Sequence, residues 1–297
     1  MNSRVINKGH HQNISSLFLQ DEQSFLDKFD LILGCRYDYN SLLIDTRFSP
    51  RGSLVFRIDP DNTFRFSISK AHRDPTFLES FFDFEGIIDP AILFLTTHLW
   101  GNDDLYPEKI LAYEAGWSTQ PTSFLKFRLD LFYNEIKDLI GFFVISTYPF
   151  PPFPPKDVTF VNNKDRVRAI GGETGVNLMI TNWLSGYMNY SYQELKNTEI
   201  HEIIQTAPKN KFTAGLEATP LRGLSFIIDT HYVDKIYTWN TEVDDYILTN
   251  ARIGYDFEKP NLGCAVSVFN LFDVRHREHP LGEEIGQRIL FTLSYNF

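Results

Sequence analysis

The chain has 297 residues and a formal net charge of −10, from 38 acidic and 28 basic side chains, with 43% hydrophobic residues, 15% aromatic residues and a mean hydropathy of −0.23. Length alone admits one large domain or two. There is no window of about 18 apolar residues, which excludes a transmembrane helix, and an acidic chain without a Lys/Arg run interleaved with aromatics excludes nucleic acid as a partner.

A β-barrel stays open, because only every second residue of a spanning strand need be apolar. Residues 1–13 carry basic side chains but neither an apolar core nor a small-residue cleavage site, so no signal peptide is expected there. The first strand-like run is 14–25, with a tight link at 26–28. The second, 29–39, sets Leu31, Leu33, Cys35 and Tyr37 against Gly34, Arg36 and Asp38, since successive side chains of a strand project to opposite faces. A longer connection leads to the third run, 50–58. It ends at Asp59-Pro60-Asp61-Asn62, where proline fixes φ and Asp/Asn satisfy their own backbone. The fourth, 63–71, turns Phe64, Phe66 and Ile68 away from Arg65, Ser67 and Ser69.

The longest irregular stretch, 72–107, follows; a compact soluble domain rarely carries such a loop. The fifth run, 108–119, turns at Gln120-Pro121-Thr122-Ser123 into the sixth, whose Leu125, Phe127, Leu129, Leu131 and Tyr133 oppose Lys126, Arg128, Asp130 and Asn134. A second long excursion, about 138–165, contains a Phe/Pro cluster that reads as a stiff loop, or as a polyproline ligand for a partner domain. Runs 166–180 and 184–195 are linked by Thr181-Asn182-Trp183. Runs 211–219 and 224–236 are linked by Pro220-Leu221-Arg222-Gly223, and runs 246–257 and 262–273 by Glu258-Lys259-Pro260-Asn261. Alternation blurs around Asn270, where a bulge is expected. A loop over 274–284 delivers the last strand, in which Ile289, Phe291, Leu293, Tyr295 and Phe297 oppose Arg288, Thr292, Ser294 and Asn296, with Leu290 out of pattern.

Tight turns therefore follow the odd-numbered runs and longer loops the even-numbered ones. This predicts an all-β, antiparallel up-and-down transmembrane barrel of about thirteen strands, with a short-turn rim and a long-loop rim. Apolar rows then face lipid. The polar rows, with Arg36, Arg65, Arg128, Glu114, Glu173 and Arg252 among them, line a lumen, and their mixed signs fit a polar wall better than a ring of one charge. Thirteen antiparallel strands cannot close without pairing the first and last in parallel, so the count is off by one or the chain is part of a larger barrel. Cys35 and Cys264 read as buried or lipid-facing packing residues, a disulfide being the alternative. His231 near Asp229 and His276 near Asp273 do not amount to a catalytic triad, and the scattered histidines give no metal site, so neither an enzyme nor a cofactor is expected.

Several segments carry a family likeness. Leu105-Tyr106-Pro107-Glu108-Lys109, Tyr113-Glu114-Ala115-Gly116-Trp117 and residues 131–140 resemble consecutive strands of TonB-dependent outer-membrane receptors. So do Gly34-Cys35-Arg36-Tyr37-Asp38, Ser49-Pro50-Arg51, Arg73-Asp74-Pro75-Thr76, Gly171-Gly172-Glu173, Asn270-Leu271-Phe272-Asp273 and the terminal Tyr295-Asn296-Phe297. The resemblance implies a 22-stranded barrel in the outer membrane of a Gram-negative bacterium, filled by an amino-terminal plug. It imports a ferric siderophore, haem, cobalamin or similar nutrient with energy from TonB. Residues 1–297 would supply its carboxy-terminal part, without signal peptide, plug or about nine strands, so TonB would act only through the missing plug. His72 and Asp74 depart from the family pattern. The resemblance also implies ligand contacts in the loops, nominating His72, Arg73, His98, Trp100 and Tyr148. It makes Tyr295 and Phe297 an insertion signal read by the barrel-assembly machinery, and names outer-membrane lipid and a ferric-siderophore-type ligand as partners. A passive or structural barrel and an outer-membrane hydrolase are the alternatives.

Overall fold

The computed structural model describes residues 11–43, 46–87, 96–147, 155–162, 165–238, 241–258 and 261–295. The chain begins with β1 (Ile14–Phe25), β2 (Phe29–Asn40), β3 (Arg47–Asp59) and β4 (Asn62–Arg73). A short helix α1 (Phe77–Phe81) and two strands, β5 (Asp83–Ile87) and β6 (Thr96–Trp100), follow. Next come β7 (Glu108–Thr122), β8 (Leu125–Lys137), β9 (Ile140–Thr147), β10 (Pro155–Asn162), β11 (Val167–Thr181) and β12 (Leu184–Asn197). The remainder forms β13 (Ile203–Ile204), β14 (Asn210–Leu221), β15 (Leu224–Val233), β16 (Ile236–Thr238), β17 (Thr241–Val243), β18 (Tyr246–Phe257), β19 (Leu262–Phe269) and β20 (Arg288–Tyr295).

Thirteen of these strands form one antiparallel path, β1-β2-β3-β4-β7-β8-β11-β12-β14-β15-β18-β19-β20, and β13 pairs at the side of β12. Sequence neighbours along this path are spatial neighbours, which is the up-and-down order that alternating turn lengths predict. Among the described residues no pairing joins β1 to β20. The register carries each face across the sheet. Arg65, Gly116, Asp130, Glu173 and Ser191 stand opposite one another on successive strands, and so do their neighbours Phe66, Ala115, Leu131, Gly172 and Tyr192. A slip of one residue would exchange the two rows, so the hydrophobic pattern sets the pairing. The apolar rows remain open to the surroundings: Leu33 is 51% exposed, Leu131 51%, Leu216 47% and Leu293 74%. Fully buried apolar side chains are few and mostly small, so the sheet faces a non-aqueous surrounding or leaves its apolar surface in water.

Two bands of aromatic rings lie on the apolar face. Near the tight turns, Phe25, Phe29 and Phe56 stack at 5.3 and 4.6 Å, and Trp117 contacts Phe64 at 6.0 Å and Phe127 at 5.3 Å. Further along, Tyr113 meets Tyr133 at 6.1 Å. Phe29 to Tyr37 on β2 and Phe127 to Tyr133 on β8 are about 20–26 Å of strand, at about 3.3 Å per residue. That separation suits rings seated at the two interfaces of a bilayer.

The tight-turn rim shows where the pleat yields. The β3–β4, β7–β8, β11–β12 and β14–β15 ladders all shift register just before their turns, as strands do at barrel rims. Strand β7 consequently runs through Pro121, and the turn falls at Ser123-Phe124 rather than at 120–123; likewise β14 runs to Leu221 and the turn is Arg222-Gly223. Gly223 has φ +81°, and a Cβ there would lie 2.4 Å from the Asp256 carbonyl oxygen, so the position requires glycine. At the opposite rim β3 begins at Arg47 instead of residue 50, because the ladder with β2 continues to Arg47 opposite Asp38.

Two further sequence expectations are corrected. The strand expected over 262–273 stops at Phe269, and there is no bulge at Asn270, which turns the chain at φ 56°. Its side chain accepts from the Val274 N–H at 2.9 Å and donates to the Val274 carbonyl at 2.9 Å. The long excursions are also not irregular throughout: they contain α1 and a separate four-stranded sheet in the order β5-β6-β10-β9.

Candidate functional site

Both long excursions leave the same rim, and pairing between them makes the small sheet. Thr76 caps α1 by accepting from the Glu79 N–H at 3.2 Å, while the Glu79 carboxylate accepts from the Thr76 N–H at 2.7 Å. This reciprocal capping box is written in the sequence as Thr76-x-x-Glu79. After α1 the chain pairs β5 with β6 antiparallel. Strand β6 then takes β10 as a parallel partner across the second excursion, with Asp157, Val158 and Thr159 opposite His98, Leu99 and Trp100. Gly101 allows the strand end to press on α1: a Cβ there would lie 2.5 Å from the backbone nitrogens of Phe81 and Phe82. Asn162 fastens the excursions together, accepting from the Tyr106 N–H at 2.7 Å and donating to the carbonyls of Tyr106 and Asp138 at 2.9 and 2.7 Å.

Alternation gives the small sheet two faces. Phe84, Leu99, Val158, Phe160 and Phe142 share one by register, and Phe142 meets Phe160 at 4.8 Å. The other carries Asp83, Glu85, His98, Trp100 and Asp157. There His98 Nε2 lies 2.7 Å from Asp83 Oδ1, and the imidazole meets the Trp100 ring at a centroid distance of 3.6 Å. The carboxylate orients the imidazole against the indole, so a half-exposed aromatic pair is held ready-made.

Arg73 ties this assembly to the main sheet. Its guanidinium donates to Glu79 at 3.0 and 3.1 Å and to Glu108 at 2.5 and 2.6 Å, a bidentate arrangement on both sides. Glu108 in turn accepts from the Ile140 N–H at 2.9 Å. One arginine thus joins β4, α1, β7 and the start of β9. Burial works against ionisation of Glu79, but the bonds from Arg73 and Thr76 outweigh it and hold this carboxyl below its usual pKa. Beside this joint, Asn40, 1% exposed, donates to Asp74 at 3.0 Å, and the buried Arg47 pairs with the same carboxylate at 2.9 Å. His72 Nδ1 lies 3.1 Å from the Ser49 hydroxyl.

On the main sheet, Arg36, Arg65, Glu114, Arg128, Glu173 and Arg252 share one face by register, opposite the apolar rows. Arg65 pairs with Glu114 at 3.5 Å and Asp130 at 3.3 Å, and Arg128 with Asp130 at 3.0 Å. These groups, with Glu173 and Gln193, line a hollow of ≈ 750 Å³ against that face. Arg36 instead pairs with Asp38 at 2.9 Å, and Arg252 lies several strands away, opposite Ser267.

His231 contacts Asp229 and, at 3.3 Å, the Thr213 hydroxyl, and Asn250 donates to Asp229 at 2.9 Å. His276 and Asp273 are not joined: His276 Nδ1 meets the Val274 carbonyl and Asp273 accepts from the Gln287 N–H. Among the described residues no group of three or more His, Cys, Asp or Glu is placed to hold a metal ion. Cys35 and Cys264 are free thiols on the apolar face. Tyr295 sits on the apolar face of β20, opposite Leu262. Tyr148 and Phe297 lie outside the described residues. Sequence reasoning missed Glu79, Glu108 and Asn162. Only the capping box could have revealed the first; the others depend on pairings between distant excursions.

A family model described as TonB dependent receptor-like, beta-barrel matches residues 2–271. Iron-regulated outer membrane virulence proteins of two Vibrio cholerae serotype O1 strains are 26% identical over 299 residues, covering 94% of this chain and 44% of their own length. The chain thus spans just under half of the curated relatives it matches. Among solved structures, the siderophore receptor PirA from Acinetobacter baumannii superposes with a TM-score of 0.78 at 18% identity, covering 96% of this chain and 46% of that one. A mutant of the ferric enterobactin receptor PfeA from Pseudomonas aeruginosa gives 0.77 at 19%, covering 95% and 44%. At these identities the likeness is one of fold.

Proposed function

The chain belongs to the TonB-dependent receptor-like β-barrel family, a Gram-negative outer-membrane family, and from that premise we propose that it is the carboxy-terminal part of the barrel of a receptor that takes up a ferric-siderophore-type ligand. The reading is carried by one observation: thirteen strands meander in sequence order with tight turns at one rim, and at the other rim two long excursions fold together into a braced sheet. The tight-turn rim faces the periplasm and the braced sheet the exterior. The face of Arg36, Arg65, Arg128, Glu114, Glu173 and Arg252 lines the lumen, where mixed charges remain hydrated. His98 and Trp100 offer ring surface to the ligand, while Arg73, engaged by two carboxylates, and His72, bonded to Ser49, hold the loop in place. Coupling to TonB is a property of the whole receptor. Tyr295 at the end of β20 contributes to recognition by the barrel-assembly machinery.

The test is equilibrium binding of a radiolabelled ferric tris-catecholate and of a ferric hydroxamate to outer membranes containing the protein, compared with a His98→Ala/Trp100→Ala variant. Removing both rings weakens binding of the recognised chelate by about 2 kcal/mol, roughly thirty-fold in Kd. Unchanged binding by the variant, or no binding of either chelate, contradicts the proposal.

A further inference from the structure

The first excursion carries charge of one sign. Residues 74–107 hold seven carboxylates and neither a lysine nor an arginine. The main sheet answers two of them, Asp74 through Arg47 at 2.9 Å and Glu79 through Arg73 at 3.0 Å. Arg47 is buried and Arg73 is also engaged by Glu108, so both guanidiniums serve the joint beneath the small sheet. On the polar face of that sheet, register sets Asp83, Glu85 and Asp157 around His98 and Trp100. Among the described residues, the paired positions of this face include no lysine or arginine. Asp83 holds His98 at 2.7 Å, and Trp100 keeps 42% of its surface exposed. Asp103 and Asp104 form the turn just after Trp100. At the same rim the β15–β18 connection adds Asp234, Asp244 and Asp245 beside the Lys235–Glu242 pair. Lys109 and Lys209, also near this rim, are paired with Asp138 and Glu194 at 2.9 and 3.1 Å.

We propose that the His98–Trp100 site selects its ferric chelate by charge, taking a cationic tris-hydroxamate that bears a protonated amine and turning away a trianionic tris-catecholate. The inference rests on the siderophore reading and names the substrate class of that same site. Iron(III) cancels the charge of its three hydroxamates, so a free ammonium leaves such a chelate a cation, whereas three catecholates leave it a trianion. An ammonium seated on the exposed indole meets the negative face of the ring together with the carboxylates of Glu85 and Asp157. A trianion in the same place meets like charge and loses affinity. The acidic rim also acts before contact, drawing cations toward the mouth and slowing anions, an effect that salt screens.

The test is equilibrium binding of three radiolabelled ferric chelates to outer membranes containing the full chain, at low and high salt. They are a linear tris-hydroxamate with a free ammonium, the same chelate N-acetylated, and a tris-catecholate. At low salt the ammonium chelate should bind about ten-fold more tightly than its acetylated form, with the tris-catecholate weakest, and at high salt the first two should converge. Glu85→Gln/Asp157→Asn keeps the side-chain shapes and leaves Asp83 on His98. It should weaken the ammonium chelate about ten-fold and the acetylated one by less than about two-fold, the latter showing that the site is still folded. Glu85→Lys should strengthen tris-catecholate binding, and Asp61→Asn in the β3–β4 turn should change nothing. A tris-catecholate that binds the wild type as tightly as the ammonium chelate, or a double variant that keeps the wild-type preference, overturns charge selection and leaves the siderophore reading standing. Binding of none of the three chelates overturns that reading and the proposal with it.

Discussion

Substituting Leu131 with arginine asks what surrounds the sheet. Leu131 is 51% exposed and lies between Phe127 and Tyr133 of β8, near the middle of the strand length bounded by the two aromatic bands. In water, a half-exposed leucine on a sheet accepts arginine within about 0.5 kcal/mol. At the midplane of a bilayer the same change costs about 2–4 kcal/mol, because the guanidinium loses its hydration. The control is Ser191→Arg. Register places Ser191 on the polar face, opposite both Glu173 and Lys211 and in the same row as Asp130. An arginine there finds a carboxylate neighbour and water, so the expected cost is within about 0.5 kcal/mol. The assay is urea titration of the protein in lipid vesicles, followed by the heat-modifiable band. Leu131→Arg should lower stability by about 2–4 kcal/mol, with Ser191→Arg close to wild type. Equal effects of the two would refute the assignment of lipid and lumen faces.

Further outcomes follow from the close contacts. A Cβ on Gly171 would lie 2.2 Å from the Tyr192 carbonyl oxygen and 2.6 Å from the Phe132 ring, so Gly171→Ala should lose about 1–3 kcal/mol in the same titration, whereas Gly141→Ala, with nothing within 4 Å, should not. Arg73→Gln releases Glu79 and Glu108 together; discounted for the 44% exposure of Arg73, about 1–2 kcal/mol of local stability is lost, visible as faster protease nicking between β4 and β7. Glu79 has a folded pKa below its unfolded value, so its contribution is complete above the unfolded value and disappears as pH falls through the folded one. Nicking should therefore accelerate below about pH 4.3 in the wild type and change less in Arg73→Gln. Asn162→Ala removes two bonds between the excursions and one within the second, and should expose both to protease, with about 1–3 kcal/mol lost and the main sheet unchanged by circular dichroism.

Much of the main sheet is legible in the sequence, for a physical reason. A strand with lipid on one side and water on the other must alternate, so Phe64, Phe66 and Ile68 against Arg65, Ser67 and Ser69 announce both the element and its faces. Turn positions are less legible where the ladder bulges, as at Thr119 to Thr122, because Pro121 reads as turn chemistry although it ends a strand. The fold of the excursions is least legible. Parallel pairing of Asp157 with His98 joins segments far apart in sequence, and no local period encodes it. The Asn270-Leu271-Phe272-Asp273 motif was visible as a likeness, but its work was not: Asn270 fastens the turn to Val274, and Asp273 receives the Gln287 N–H just before the last strand.

In the proposed orientation the strands cross the outer membrane with the braced sheet outside and the tight turns inside. Labelling of intact cells by a membrane-impermeant maleimide tests it most directly, with single cysteines at Asp61, in the β3–β4 turn, and at Glu202, between β12 and β14, in a Cys35→Ser/Cys264→Ser background. In that orientation Glu202→Cys is labelled in intact cells and Asp61→Cys only after the membrane is opened. Labelling of Asp61→Cys in intact cells, or of neither site there while both react after lysis, would contradict it.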